Sequence, residues 1–69
     1  MSKLRSQFAK NLKKLRADKK MTQENLAEKL NISLRYIQQL EGKNTPNVKI
    51  DTLEKLARAL KCKPEDFLK

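Results

Sequence analysis

Apolar residues recur along this chain at steps of three and four. No stretch alternates apolar and polar residues with β-branched enrichment, so the pattern dictates amphipathic helices and argues against strands. Residues 3–18 place Leu4, Phe8, Leu12 and Leu15 on one stripe, with lysines and arginines on the other faces. A second helix begins at Thr22, a good N-cap residue, with Glu24 near its positive start and Leu26, Ala27 and Leu30 on its apolar side. Asn31 tolerates the left-handed backbone that ends a helix. The third helix starts at Ser33, runs through Ile37 and Leu40, and is expected to stop at Gly42 through a positive φ. Residues 43–48 read as a loop. A fourth segment, 49–60, aligns Ile50, Leu53, Leu56, Ala57 and Leu60. Pro64, suited to a first helical position, opens a short fifth helix carrying Phe67 and Leu68. The expectation is an all-α, compact five-helix domain spanning residues 1–69, with no linker and no repeat.

Size and residue types remove several classes of function. A chain of 69 residues buries roughly 60% of its unfolded surface, which suffices for one core and leaves little for an enclosed catalytic pocket. Cys62 is the single cysteine and histidine is absent. A disulfide, a Cys/His zinc site, a cysteine–histidine dyad and a serine–histidine–aspartate triad are thereby excluded within one chain. Acidic residues are scattered and there is no glycine-rich phosphate loop, so no enzyme, metal or cofactor is expected. Cys62 itself reads as partly buried core, with a redox-sensing thiol as the alternative. No apolar run approaches the roughly 20 residues of a membrane span, and the basic N-terminus lacks the apolar stretch of a secretory signal. A reduced, cytoplasmic protein is the consistent reading.

The net charge is +9, from 17 Lys and Arg against 8 acids, which favours a polyanionic partner, nucleic acid before membrane. The excess is uneven. Residues 1–20 hold eight basic residues and one acid, residues 21–48 three of each, and residues 49–69 six against four. A basic segment thus stands beside a more neutral element. Plain solubility is the bland alternative.

Two helices of eight or nine residues joined by a three-residue turn form the architecture of a DNA-binding helix-turn-helix, here over residues 22–41. Ala27 suits a close helix crossing, Ile32 can plug the corner, and Leu26, Leu30, Ile37 and Leu40 seal the two helices together. Ser33, Leu34, Arg35, Gln38 and Gln39 then remain outward on the third helix. Arg35 has the donors for guanine O6 and N7, and Gln39 the pairing groups for adenine N6 and N7. Leu34 suits a thymine methyl, and Ser33 a phosphate or base edge. The competing reading is an ordinary solvated helix face.

With these residues in place, the chain resembles the Cro/repressor-type (Xre-like) helix-turn-helix family. The resemblance runs from about Phe8 to Leu68 through Arg16, Thr22-Gln23, Leu26-Ala27, Ile37, Glu41-Gly42, Leu53, Leu56-Ala57 and Leu60. It implies a DNA-binding transcriptional regulator, a repressor by preference, with its third helix in the major groove of a palindromic operator. It implies that Ser33, Leu34, Arg35 and Gln39 face bases. Thr22 and Gln23, at the positive start of the second helix, would bind phosphate, as would Lys43, Asn44 and Thr45 beyond the third. Arg16 and Glu41 match the family's salt bridge between the first and third helices. Double-stranded DNA is the implied partner, bound by a homodimer formed through the C-terminal region, including Cys62, Phe67 and Leu68. Two departures stand out: Glu41 and Gly42 are adjacent where the family usually inserts one residue, and Lys49 replaces a usual cap.

Other readings carry less. Domains of this kind also act as antitoxins or protein-binding regulators, but no toxin-binding tail is visible. A membrane-surface role for the basic first helix lacks interfacial aromatics and competes with the core for the same apolar stripe. Tyr36 lies between the base-facing and core-facing sides of the third helix and could serve either.

Overall fold

A computed structural model describes residues 3–69; Met1 and Ser2, which the expected domain span includes, lie outside the described residues. Four α-helices follow in order: α1 (Lys3–Asp18), α2 (Gln23–Leu30), α3 (Leu34–Leu40) and α4 (Ile50–Ala59). The expected fifth α-helix is instead a 3₁₀ helix, Pro64–Leu68. Its tighter winding has a local cause. The Asp66 side chain accepts from the Lys63 backbone N–H at 3.0 Å, and the Asp66 N–H returns to the Lys63 carbonyl at 2.9 Å, which closes a three-residue turn. No strand occurs among the described residues.

Three of the helices, of 8, 7 and 10 residues, are shorter than the roughly 12–15 residues at which an isolated helix becomes even marginally stable. Their order therefore comes from packing. Phe67, Leu12, Leu26, Ile37, Leu40, Leu56 and Leu60 are fully buried, and each such side chain contributes about 1.5–3 kcal/mol on leaving water. Phe8 meets Phe67 with ring centroids 5.5 Å apart, seating the 3₁₀ helix on α1. Asn11, which the sequence reading passed over, locks that seat. Its side-chain amide donates to the carbonyls of Phe67 at 2.8 Å and Lys69 at 2.9 Å.

Helix ends account for the turns. Thr22 caps α2 by accepting the Asn25 N–H at 3.0 Å, and Asn25 Oδ1 accepts the Thr22 N–H at 3.2 Å. Ser33 Oγ accepts the Tyr36 N–H at 3.1 Å at the start of α3. Asn31 takes φ 56°. Its N–H reaches the Glu28 carbonyl while that of Ile32 reaches Ala27, the paired bonds of a left-handed helix stop. Residues 31–33 are the turn between α2 and α3. The same two-bond stop closes α1 at Lys20 and α4 at Lys61, with φ 55° and 53°.

Gly42 differs from its expected role, because no glycine has a positive φ. A Cβ at that position would lie 3.2 Å from the Gln38 carbonyl oxygen, so what the site needs is a close approach. Two apolar expectations also change. Leu4 and Ile50, read as stripe residues facing inward, are 58% and 75% exposed, since each lies at the first turn of its helix, past the edge of the core. Lys49 precedes α4 with no side-chain cap bond.

Candidate nucleic-acid interface

The end of α3 is held by a hub of buried polar groups. Glu41 accepts Arg16 Nε at 2.8 Å and Arg16 Nη2 at 3.0 Å, a two-point ion pair between α1 and α3. Arg16 Nη1 also donates to the Met21 carbonyl at 2.7 Å, and the Gln23 amide donates to Glu41 Oε1 at 3.1 Å. One carboxylate therefore ties together α1, the start of α2 and the end of α3. The Glu41 side chain is 4% exposed and that of Arg16 14%. The hydrogen bond to Glu41 raises the Arg16 pKa above its ordinary value, outweighing the opposing effect of burial. No buried side-chain polar atom among the described residues lacks a partner.

On this frame α3 presents one open face. Arg35 and Gln39 are exposed and stand four residues apart, one above the other on the helix, with Gln38 beside them. Leu34 is half-buried and packs against the core with one side, as does Tyr36. Ser33 is exposed; its oxygen is committed to the cap, which leaves the hydroxyl proton for an outside acceptor. Thr22 is in the same position at the start of α2. Gln23 is half-buried and its amide is aimed by Glu41. Lys43 and Asn44 are exposed directly after α3.

Thr45 departs from its expected role. It is 2% exposed, and its hydroxyl donates to the Gly42 carbonyl at 3.0 Å. It closes the end of α3 from inside the protein and is not available to a phosphate. The C-terminal surface changes as well. Phe67 is wholly buried and Cys62 half-buried, whereas Leu68 is 43% exposed. Burial first, then the nearby Asp66 carboxylate, push the Cys62 thiol pKa up against the pull of Lys19, so the lysines near it do not make a reactive thiolate.

Among the described residues, no cluster of His, Cys, Asp and Glu could hold a metal ion. No helix is long and apolar enough to cross a membrane.

Residues 11–69 match the sequence profile of the Cro/C1-type HTH DNA-binding domain. The chain belongs to the Cro/C1-type helix-turn-helix family. Within this family it is similar to the control protein C.BamHI of Bacillus amyloliquefaciens, with 35% identity over 66 residues, covering 94% of this chain and 80% of the relative. Among solved structures it is similar to the wild-type restriction-modification controller protein C.Esp1396I, with TM-score 0.84 and 37% identity over 97% of this chain and 86% of that one. The controller protein C.AhdI from Aeromonas hydrophila superposes with TM-score 0.83 and 30% identity, covering 91% and 94% of the two chains. C.Esp1396I has also been solved as a tetramer in complex with its natural 35 base-pair operator. Cro/C1-type membership makes α2 and α3 the DNA-binding helix-turn-helix and the open face of α3 its outward surface.

Proposed function

We propose that this chain is a sequence-specific transcription regulator that binds a palindromic operator as a homodimer and represses by occupying a promoter. The observation that carries the reading is the exposure of Arg35 and Gln39 on one face of α3, a helix fixed to α1 and α2 by the Glu41 hub. In each copy α3 would enter the major groove, Arg35 pairing with guanine and Gln39 with adenine. Ser33 and the outer side of Leu34 would meet the neighbouring base edges. Thr22, Gln23, Lys43 and Asn44 would hold phosphates on either side, fixing the register of α3.

Dimensions support two copies. The chain measures 27 Å along its longest axis, whereas successive major-groove half-sites lie roughly 34–36 Å apart. The operator-bound C.Esp1396I tetramer lends the same support by kinship. The dimer surface would lie where Leu68, Ile50 and Leu4 expose apolar area, with Leu4 and Leu68 flanking a groove floored by Val48 and Leu53.

The test is selection from a randomised duplex pool near physiological salt. Enrichment of an inverted repeat with half-sites about one helical turn apart is the expected result. Retention without enrichment would leave only charge-driven binding and would turn the search toward a protein partner.

A further inference from the structure

We propose that the cleft between α1 and the end of α3 is a second grip on the DNA backbone, in which Lys10, Lys13 and Lys43 hold phosphates of a strand passing the end of the recognition helix. The proposal rests on the DNA-binding reading above and adds α1 to the contact surface. Ser6, Lys10 and Lys13 line one wall of an open cleft of about 510 Å³, and Glu41, Gly42 and Lys43 line the other. Ser6, Lys10 and Lys13 follow at steps of four and three, so they share one face of α1. The three lysines are exposed, and none forms an ion pair or side-chain hydrogen bond among the described residues.

Three cations facing one concavity repel one another, and the acid on its wall does not relieve them. Glu41 is already bound by Arg16, and its side chain is 4% exposed. An anion entering the cleft removes that repulsion. The kind of anion follows from shape and lining. The cleft is open, has no aromatic wall to stack a base or nucleotide, and its lysines are long, mobile point charges. Those properties suit a continuous phosphodiester strand more than an enclosed small molecule. Position agrees. Lys43 belongs both to the cleft and to the segment directly after α3, and Lys13 lies one turn before Arg16 on α1. Because Arg16 is tied to Glu41, Lys10 and Lys13 move with α3 as one body, so a phosphate they hold sets the depth and tilt of the recognition helix.

The test compares three proteins: wild type, the Lys10→Ala/Lys13→Ala double variant, and a Lys29→Ala/Lys55→Ala double variant. The last removes the same charge from a cleft between α2 and α4. Alanine is a better helix former than lysine, and far-UV circular dichroism with a urea melt checks that each variant folds; Lys10→Gln/Lys13→Gln replaces any that does not. Each is titrated with the selected duplex and with an unrelated duplex between about 50 and 200 mM salt. The expected result is a slope of log K against log salt lower by about one to two units in the Lys10/Lys13 variant on both duplexes, since each released phosphate contributes about 0.9. The selected sequence should be unchanged and the Lys29/Lys55 slope should equal that of wild type. An unchanged slope in the Lys10/Lys13 variant, or an equal fall in both variants, overturns the grip while leaving the helix-turn-helix reading intact. Wild-type protein that binds no duplex at all overturns both.

Discussion

Glu41 carries more of the interface than any residue that would touch DNA. Its carboxylate satisfies Arg16 twice and aims Gln23, so removing it leaves a mostly buried guanidinium without a partner. Losing one member of a buried pair destabilises by about 3–5 kcal/mol. Arg16 keeps a small solvent opening and its bond to Met21, so Glu41→Ala is expected to lower unfolding stability by about 2–3 kcal/mol in urea denaturation. A change below about 0.5 kcal/mol would place it among ordinary surface substitutions. Arg35 should behave in the opposite way. It is exposed and absent from the core, so Arg35→Ala should leave the urea midpoint in place. In a repeated selection it should relax preference at one position per half-site, a discrimination of about 1–3 kcal/mol.

Among the elements, three helix stops share one geometry without a glycine. Lys20, Asn31 and Lys61 all adopt φ near 55°, and the left-handed region disfavours side chains by roughly 1–2 kcal/mol per residue, asparagine least. Glycine removes that strain but adds roughly 0.5–1 kcal/mol of backbone entropy to the unfolded chain. The balance gives an expected gain of about 0.5 kcal/mol each for Lys20→Gly and Lys61→Gly, read as a higher urea midpoint, with additivity in the double variant. Asn31 was legible in the sequence because asparagine is a known stop; the two lysines were not, because nothing local marks a lysine for that conformation. The elements themselves were legible from spacing and caps: Thr22 and Ser33 stand where a helix needs an acceptor for its first free N–H groups. The misread positions lie at element ends. Ile50 continues the stripe of α4 beyond the point where a neighbour covers it. Thr45 is polar and yet buried because its hydroxyl satisfies carbonyls left open by α3. Gly42 is small for room, not for backbone freedom. Periodicity reports which face turns inward but not how far the opposing surface extends.

Across the whole molecule, charge and apolar exposure are the properties that govern association. Leu4, Ile50 and Leu68 are the large exposed apolar residues, at 58%, 75% and 43%, and burial of such side chains drives association. Ile50→Asp places a charge in the proposed dimer surface without touching the core. It is expected to shift sedimentation equilibrium toward monomer by at least tenfold in dissociation constant, about 1.4 kcal/mol, and to weaken binding to a full operator more than to a half-site. Equal losses on both would move the dimer surface elsewhere. The sequence could supply the net charge of +9 and its N-terminal weighting, but not the C-terminal surface. Phe67 looked available there and is instead the side chain that packs the 3₁₀ helix against α1.

The separation between Arg35 and Gln39 on one side and the Glu41 hub on the other has a consequence for how such a protein changes over generations. The side chains that would choose the target sequence bear no weight in folding, and those that hold α3 in place meet no base. A duplicated copy of the gene could therefore drift to a different binding site through one or two codon changes, each intermediate remaining as soluble and as stable as its parent. Divergence in what is recognised would then proceed step by step, free of the stability losses that constrain change in the interior.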